Sequence, residues 1–436
     1  KPSVFNGLEI PRVYILFKEE GIMKKQWLSI VLVLCMVLCM APTTALCTGK
    51  DASKRGKEKG CDRPYSEAMY VKRQGGDLYI SAKLDERTDI TYWFRRCMFN
   101  DLYTFYRVGT RNRTALPTTQ PEAEPAVLLN STYSDNIGPF AIPGCGWCGG
   151  NHKYRERTAR TARSEGYTLL ADGNRIEGDT TLWANRVTVE AENVILDPTR
   201  PYRNAAGGEE LRDTLCRESV TYTVRRNNIE VTASHRFCNA APVTIAIYYG
   251  MQSMFEGETH VLTPGGAYTD WTEVAKASTF TKQEHPLFRR YVEKNRQGYQ
   301  STWLLPDGLG DHALLDGQDD IFIYAPYGKS YHKLIGNKRM ENGDKTCWRG
   351  VYTWFETPIA DDADLLCYEG SVGGHTAVFI DCKRACKRTL ALPGYLDLRH
   401  FGTAEQNSGI RISAAGRNKL KIKAGAPGSC VLLLRE

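Results

Sequence analysis

Strict alternation of apolar and polar residues is the feature that most constrains the fold of this chain. In ESVTYTVRRNNIEVTASHRF, Val220, Tyr222 and Val224 alternate with polar residues, and the pattern resumes over residues 229–237. A period of two places one set of side chains on one face of a β-strand, and asparagines between two such runs are a turn signal. The segment is therefore predicted to be a β-hairpin that turns at Asn227–Asn228.

Similar alternation recurs along most of the chain after residue 65. Further strands are predicted for DLYISAKL, DITYWFRRCMF, VTVEAENVIL, VTIAIYY, DIFIYA, HTAVFI, IRISA, LKIKA and CVLLL, and TLLADGNRI is predicted to turn at Asp172–Gly173. The best helical period occurs in PLFRRYVEK (residues 286–294), where apolar residues would share one face. We therefore predict an all-β body over residues 65–436, a large two-sheet β-sandwich of the supersandwich type with little helix. The loop-like residues 199–210 mark a division into two lobes, if there are two.

The N-terminal residues have the layout of an export signal. Met23 is followed by two lysines, an apolar run and small residues up to Ala45. This order is typical of a cleaved signal peptide. Residues 23–45 are therefore predicted to be a signal peptide, residues 1–22 an upstream extension without function, and the polar residues 46–64 a flexible charged linker.

Export and charge narrow the classes of function. Removal of the signal would give a secreted protein, extracellular or periplasmic, without a membrane span, because no later segment is long and apolar enough. The alternatives are a retained anchor and a lipid attached at Cys47. Residues 1–45 contribute +2 to the net charge of +7, so the rest carries +5. This modest excess favours an anionic partner but is too small for a nucleic-acid footprint.

The segment IPGCGWCGGNHKY (residues 142–154) combines four glycines with several polar or aromatic side chains. Glycine lets a backbone approach a ligand closely, and loops often carry the sites of rigid β scaffolds. Trp147 can stack on a sugar, Asn151 can hydrogen-bond a hydroxyl or carboxylate, and Tyr154 can help to hold the ring. His152 can transfer a proton near neutral pH, so we predict it to be catalytic. The alternative is an ordinary surface loop with a structural tryptophan.

Two predicted strands and a further predicted loop contain the other candidate site residues. His235 shares the apolar face of its strand, where it is either a core histidine or a base that projects into a cleft. If the next strand, VTIAIYYGMQSMF, pairs with this one, Tyr249 and His235 could share that cleft. We predict these two residues to be catalytic, and Gln252, Tyr331 and His332 to bind substrate. The alternative for the strand residues is that they only pack in the core, and the alternative for Tyr331 and His332 is an ordinary solvated loop.

The cysteines could form disulfides or bind a metal ion, and a group of aspartates could bind calcium. Twelve of the 14 cysteines follow the signal peptide, and export permits disulfides among them. Cys145 and Cys148 form a C-x-x-C, which suits redox exchange or, with Cys382 and Cys386, a structural zinc site, although the supporting context is missing. A candidate calcium site, without the regular spacing of a calcium loop, consists of Asp311, Asp316, Asp319 and Asp320. We predict no cofactor, with Ca²⁺ as the alternative.

Three runs carry a resemblance to a known class of proteins. They are SDNIGPFAIPGCGWCGGNHKY, VTYTVRRNNIEVTASHRF and YYGMQSMF. They resemble secreted β-sandwich proteins of gut bacteria, in the style of polysaccharide lyases and mutarotase-like supersandwich domains. The resemblance covers most of residues 65–436 and implies a carbohydrate-active protein of bacterial type. It matches no catalytic motif residue by residue, so no family site is carried over.

We therefore expect an exported protein that cleaves an anionic polysaccharide by β-elimination. That reaction needs a group that neutralises the uronate carboxylate, a base for the C5 proton and an acid for the leaving oxygen. Suitable residue types occur around residues 147–154 and 235–252. The alternatives are a non-catalytic glycan-binding or cell-surface protein and a glycoside hydrolase. Hydrolysis needs a pair of carboxylates, and the glycine-rich segment contains none.

Overall fold

The computed structural model describes most of the chain from residue 63 to residue 434. The residues outside the description are 1–62, 64, 98, 113–126, 132–136, 157–158, 256, 258–259, 274–277, 281–289, 306–321, 326–328, 407–408 and 435–436. The predicted upstream extension 1–22, the signal peptide 23–45 and nearly all of the linker 46–64 lie outside the described residues. The candidate calcium ligands also lie outside them, namely Asp311, Asp316, Asp319 and Asp320.

The described residues form antiparallel β-strands joined by turns and loops, and Tyr154–Glu156 forms a short 3-10 turn. The strands before residue 255 are β1 (Met69–Gln74), β2 (Asp77–Lys83), β3 (Thr88–Cys97), β4 (Leu102–Asn112), β5 (Val127–Ser131), β6 (Phe140–Ile142), β7 (Gly146–Cys148), β8 (Ala162–Ala171), β9 (Asn174–Arg175), β10 (Thr180–Ala184), β11 (Val187–Leu196), β12 (Tyr202–Arg203), β13 (Glu209–Glu210), β14 (Thr214–Arg225), β15 (Asn228–Phe237) and β16 (Val243–Met254). The later strands are β17 (His260–Leu262), β18 (Thr272–Glu273), β19 (Ser278–Phe280), β20 (Arg290–Lys294), β21 (Tyr299–Leu304), β22 (Phe322–Ala325), β23 (Lys329–Met340), β24 (Lys345–Phe355), β25 (Ala360–Asp361), β26 (Leu365–Val372), β27 (His375–Cys382), β28 (Cys386–Ala391), β29 (Phe401–Gln406), β30 (Ile410–Gly416), β31 (Lys419–Ala424) and β32 (Gly428–Leu434).

These strands form five sheets and a small ribbon. The first six-stranded sheet has the order β10-β1-β2-β3-β4-β5, and the ten-stranded sheet has the order β18-β17-β20-β21-β24-β15-β14-β11-β8-β9. The second six-stranded sheet is β19-β22-β23-β16-β6-β7, the five-stranded sheet is β25-β26-β27-β32-β29, and the three-stranded sheet is β28-β31-β30. The ribbon β12-β13 lies within residues 199–210, where the division into lobes stays a prediction.

Three hydrophobic clusters hold these sheets together. The largest collects the inward-facing residues of both six-stranded sheets and of most of the ten-stranded sheet. A second cluster joins the five-stranded sheet to the three-stranded sheet, and a third joins strands β17, β20, β21 and β24 to the other face of the five-stranded sheet. The prediction of an all-β, sandwich-like body with little helix is confirmed. Among the described residues, no helix has the length and apolarity needed to cross a bilayer.

The hairpin predicted from ESVTYTVRRNNIEVTASHRF is present as β14 and β15. Tyr222 lies opposite Val231 in an uninterrupted register. The turn is Arg226–Asn227, one residue earlier than the predicted Asn227–Asn228. Asn228 instead begins β15, where its side chain donates a hydrogen bond to Thr353 at 2.7 Å. The position of the turn therefore depends on a contact with a strand remote in sequence.

All nine other predicted strands are found, and the turn at Asp172–Gly173 is confirmed, with φ of 48° and 87°. The helical interpretation is wrong over residues 290–294, because Arg290–Lys294 forms β20 in the ten-stranded sheet, and residues 286–289 lie outside the described residues. In so short a run, apolar spacing fits a strand as well as a helix. The strand assignment places Tyr291 and Glu293 on one face and Val292 on the other, which matters for the polar cluster described below.

Candidate functional site

The glycine-rich segment forms an edge of the second six-stranded sheet. It runs from β6 through β7 into a tight turn, so Trp147 stands on an edge strand. Gly149 has φ +87°, and a Cβ there would come within 3.2 Å of the Ile195 side chain. A side chain at position 149 would therefore strain the backbone and crowd the core, which explains the glycine without a ligand.

Four rings from this segment and from two neighbouring strands meet on the same sheet. We call them the aromatic row, and they are His152, Trp147, Tyr249 and Tyr331. The centroid of Trp147 lies 5.8 Å from that of His152 and 5.5 Å from that of Tyr249, with the indole and phenol rings stacked. The centroids of Tyr249 and Tyr331 are 4.1 Å apart. All four residues are half-buried.

Tyr249 reaches the row because the two tyrosines of β16 point in opposite directions. Tyr248 is buried, and its hydroxyl donates to the Ile137 carbonyl at 2.9 Å while it accepts from Trp348 Nε1 at 2.7 Å. The pairing of β16 with β23 shifts between residues 248 and 249. Gly138 lies against the carbonyl of Tyr249, and a Cβ on it would be 1.4 Å from that oxygen. A residue larger than glycine at position 138 would therefore displace the strand that carries Tyr249.

Basic side chains accompany the aromatic row. Lys333 lies directly opposite Tyr249 in the register of β16 and β23, two residues beyond Tyr331 on the same strand face. The Lys329 ammonium lies 5.9 Å from the centroid of Tyr331. An anionic ligand that stacked on the row would therefore meet positive charge.

Three of the predicted substrate-binding residues have structural contacts. Asn151 Oδ1 accepts a hydrogen bond from the Phe99 amide at 3.1 Å. Tyr154 is 1% exposed and belongs to the largest hydrophobic cluster. Gln252 is 2% exposed, and its carbonyl accepts from the Tyr352 hydroxyl at 2.9 Å. The structure does not bring these three side chains into the aromatic row.

His235 lies in the core, not in a cleft shared with Tyr249. Its strand, β15, pairs with β14 and β24, whereas β16 belongs to another sheet, so the conditional pairing of β15 with β16 is not found. The His235 ring contacts Tyr248 at 5.3 Å, and its nitrogens hydrogen-bond Glu218 and Thr346, both at 3.0 Å. At 2% exposure this histidine has the surroundings of a packing residue.

Tyr331 and His332 lie on strand β23, so the predicted loop is wrong at these positions, and their side chains point to opposite faces. His332 is fully buried in a polar cluster where both six-stranded sheets meet the ten-stranded sheet. We call this the Glu293 cluster, and its members are Asn130, Ser253, Tyr291, Glu293, Gln300, Ser330 and His332. The central acid, Glu293, is not among the residues predicted from the sequence, because a helix over residues 286–294 would not place it on one face with Tyr291.

Hydrogen bonds connect the Glu293 cluster across the sheets. Ser330 Oγ lies 2.7 Å from the Tyr291 hydroxyl and donates to Glu293 Oε2 at 3.3 Å. Within the described residues, Glu293 Oε1 has no hydrogen-bond partner. Burial raises the pKa of Glu293 to about 8, although hydrogen bonds from Ser330 and Ser253 lower it in part. A carboxyl group in this setting is neutral at pH 7 in the folded protein.

Glu293→Gln should therefore become more stable relative to wild type as the pH rises from 5 to 8. The unfolded carboxyl ionises near its ordinary pKa of 4.5, whereas the folded one keeps its proton up to about 8, so ionisation favours unfolding across this window. The gain would be about 4 kcal/mol at most. Urea unfolding at several pH values measures it. The matched control is the exposed Glu177→Gln, and parallel pH curves for wild type and Glu293→Gln would contradict the prediction.

The cysteines do not form the zinc arrangement. Cys145, Cys148, Cys382 and Cys386 form no disulfide. Cys145 and Cys148 lie in the largest hydrophobic cluster, where burial raises the pKa of both thiols, whereas Cys382 and Cys386 lie in the second cluster. Over the part of the chain that the structure describes, no group of three or more His, Cys, Asp or Glu residues is suited to a metal ion.

Comparison with known proteins gives distant likenesses. No protein-family model and no curated protein matches the sequence. Among solved structures, the chain is similar to the GH36 alpha-galactosidase AgaB from Geobacillus stearothermophilus, at 8% identity and a TM-score of 0.37, over 66% of this chain and 41% of that chain. It is also similar to a putative aldose 1-epimerase from Klebsiella pneumoniae, at 9% identity and a TM-score of 0.25, over 65% of this chain and 82% of that chain.

A third likeness is to a mutant of the heparan sulfate lyase HepC from Pedobacter heparinus, at 8% identity and a TM-score of 0.25, over 72% of this chain and 41% of that chain. This chain thus spans about two fifths of the length of the galactosidase and lyase chains. All three TM-scores lie below 0.5, so these likenesses assign neither an activity nor a substrate to this chain.

Proposed function

We propose that this chain is an exported carbohydrate-active protein of bacterial type that binds an anionic polysaccharide along the aromatic row and cleaves it by β-elimination. The observation that supports this most is the convergence of four half-buried rings from three segments of the chain onto one sheet face. The apolar face of a pyranose ring packs well on an aromatic face, and successive rings can hold successive sugars. Lys333 and Lys329 supply the positive charge that a uronate carboxylate requires.

The positions of His152 and Tyr249 suit acid–base work on a stacked sugar. Both rings contact Trp147, one at 5.8 Å and the other at 5.5 Å between centroids, so a sugar on the indole would have an imidazole and a phenol as neighbours. In the proposed reaction a base takes the C5 proton, a C4–C5 double bond forms and the bond from C4 to the leaving oxygen breaks. An acid then protonates that oxygen. His152 and Tyr249 are our candidates for these two roles, with Lys333 neutralising the carboxylate.

Trp147→Ala should weaken the binding of a short polygalacturonate oligosaccharide by about 10- to 100-fold. The variant loses the stacking surface at the centre of the row, and a large apolar contact contributes about 1.5–3 kcal/mol. Isothermal titration calorimetry measures the affinity. Trp183→Ala is the matched control, because Trp183 is 44% exposed on β10 and lies outside the row. Equal affinities of wild type and Trp147→Ala would remove the aromatic row from the binding site.

A further inference from the structure

A polar pocket that shares no residue with the aromatic row lies between two β-turns. One is the turn Arg226–Asn227 that joins β14 to β15, and the other is the turn Gly373–Gly374 that joins β26 to β27. The pocket has a volume of about 390 Å³. Three arginines line it, together with two carboxylates, two side-chain amides and the hydroxyls of Ser371 and Thr376. Its lining is therefore polar and carries more positive than negative groups.

Two of the three arginines are neutralised in part by one buried carboxylate. Arg63 donates to Glu369 at 2.6 and 3.0 Å, and Arg226 donates to the same carboxylate at 2.8 Å. Burial alone would raise the pKa of Glu369, but Arg226 and Arg63 outweigh it and hold the pKa below its ordinary value. The carboxylate is thus ionised and shared between two guanidinium groups, which leaves this triad with a net positive charge. Glu67, the other carboxylate, is 60% exposed and pairs with Arg63.

Arg225 is the third arginine and has no such partner. Among the described residues, no carboxylate pairs with its guanidinium and no carbonyl accepts a hydrogen bond from it. The side chain is half-buried, and its Nη2 lies so close to Gly374 that a Cβ there would be 3.2 Å away. Gly374 also has φ +87°. The glycine thus leaves room for a guanidinium group that is held in the pocket wall without an anion of the protein.

We propose that this pocket is a binding site for an oxyanion, a carboxylate or a sulfate group. A guanidinium group presents parallel N–H donors that match two oxygens of such a group. Ser371 and Thr376 lie opposite each other in the register of β26 and β27, and both line the pocket, so their hydroxyls can donate further hydrogen bonds. Free inorganic sulfate and the acidic groups of a glycan share this chemistry. If the proposed function holds, a glycan is the natural source.

Equilibrium dialysis with radiolabelled sulfate at low ionic strength tests the site. We expect one sulfate per chain, displaced by glucuronate, and an affinity about tenfold lower or worse in Arg225→Gln, since a hydrogen bond to a charged group contributes about 1.5–3 kcal/mol. Arg225→Lys keeps the charge but loses the paired N–H donors, so its sulfate affinity should lie between those of wild type and Arg225→Gln. Arg411→Gln is the control, because this substitution removes the same charge from an exposed arginine on β30, outside the pocket.

Two results would overturn the proposal: no saturable sulfate binding by wild type, or wild-type affinity in both Arg225 variants. Displacement of sulfate by a uronate oligosaccharide more strongly than by free glucuronate would identify a glycan as the source, and equal displacement would identify a free anion. Trp147→Ala should bind sulfate like wild type. Loss of glycan binding in that variant with sulfate binding intact therefore separates the two sites, and failure of the aromatic row does not imply failure of this pocket.

Discussion

Replacing Asp381 by alanine should lower the free energy of unfolding by about 3–5 kcal/mol. Asp381 on β27 and Arg290 on β20 form an ion pair between the five-stranded and ten-stranded sheets, and both side chains are 1% exposed. Arg290 Nη1 donates to Asp381 Oδ2 at 2.8 Å and to the Tyr368 hydroxyl at 3.0 Å, while Ser429 donates to Asp381 Oδ1 at 2.9 Å. Truncation would leave the Arg290 charge buried without its carboxylate, which is the costly case.

Equilibrium urea unfolding followed by tryptophan fluorescence measures this effect. Arg384→Ala is the matched control, since it breaks an ion pair with Asp364 in which the arginine is 61% exposed. Exposed pairs contribute about 0–1 kcal/mol, so this variant should unfold almost like wild type. A loss below about 1 kcal/mol in Asp381→Ala would show that the buried pair does not stabilise the contact between the two sheets.

His152→Gln should lower turnover of an acidic polysaccharide by a factor on the order of 10² to 10⁴ with little change in the thermal midpoint. The imidazole is half-buried at one end of the aromatic row, where its ring contacts Trp147, and the substitution leaves the hydrophobic core intact. Glutamine keeps a polar side chain of similar reach but cannot exchange a proton near neutral pH. Initial rates at saturating substrate, together with calorimetric melting, measure both quantities.

The second histidine serves as the internal control. His235→Gln disturbs the buried hydrogen bonds to Glu218 and Thr346, so it should lower the thermal midpoint while the folded fraction keeps its turnover. The opposite pattern, with full activity in His152→Gln and loss of activity in His235→Gln, would move the chemistry from the row to the core histidine.

The strands could be predicted from the sequence because their alternation is a local property. Alternation does not fix the register, however. The predicted turn at Asn227–Asn228 would pair Tyr222 with Ala233, whereas the observed turn, one residue earlier, pairs it with Val231. The helical interpretation failed over residues 290–294 because five strand residues are too few to distinguish a period of two from a period of 3.6. Because of that error, Glu293 was not predicted as a buried acid. The residues around it come from three different sheets.

The aromatic row could be predicted only in its parts. The sequence predicts each of its four residues separately as a site residue, namely Trp147, His152, Tyr249 and Tyr331. Contact between their rings depends on the pairing of β16 with β6 and β23. Such pairing joins segments about a hundred residues apart, and alternation carries no information about it. The same limit applies to the pocket at Arg225, which exists because the turn between β26 and β27 lies beside the turn between β14 and β15.

The most direct test of the central claim is the ultraviolet absorbance of unsaturated uronate products, followed while the protein acts on a panel of acidic and neutral polysaccharides. We predict that absorbance rises with at least one uronate polysaccharide, stays flat with the neutral ones, and rises far more slowly with Trp147→Ala and His152→Gln. New reducing ends without this absorbance would indicate hydrolysis, and retention of the glycan without turnover would indicate a binding protein. Either result would contradict β-elimination on the aromatic row.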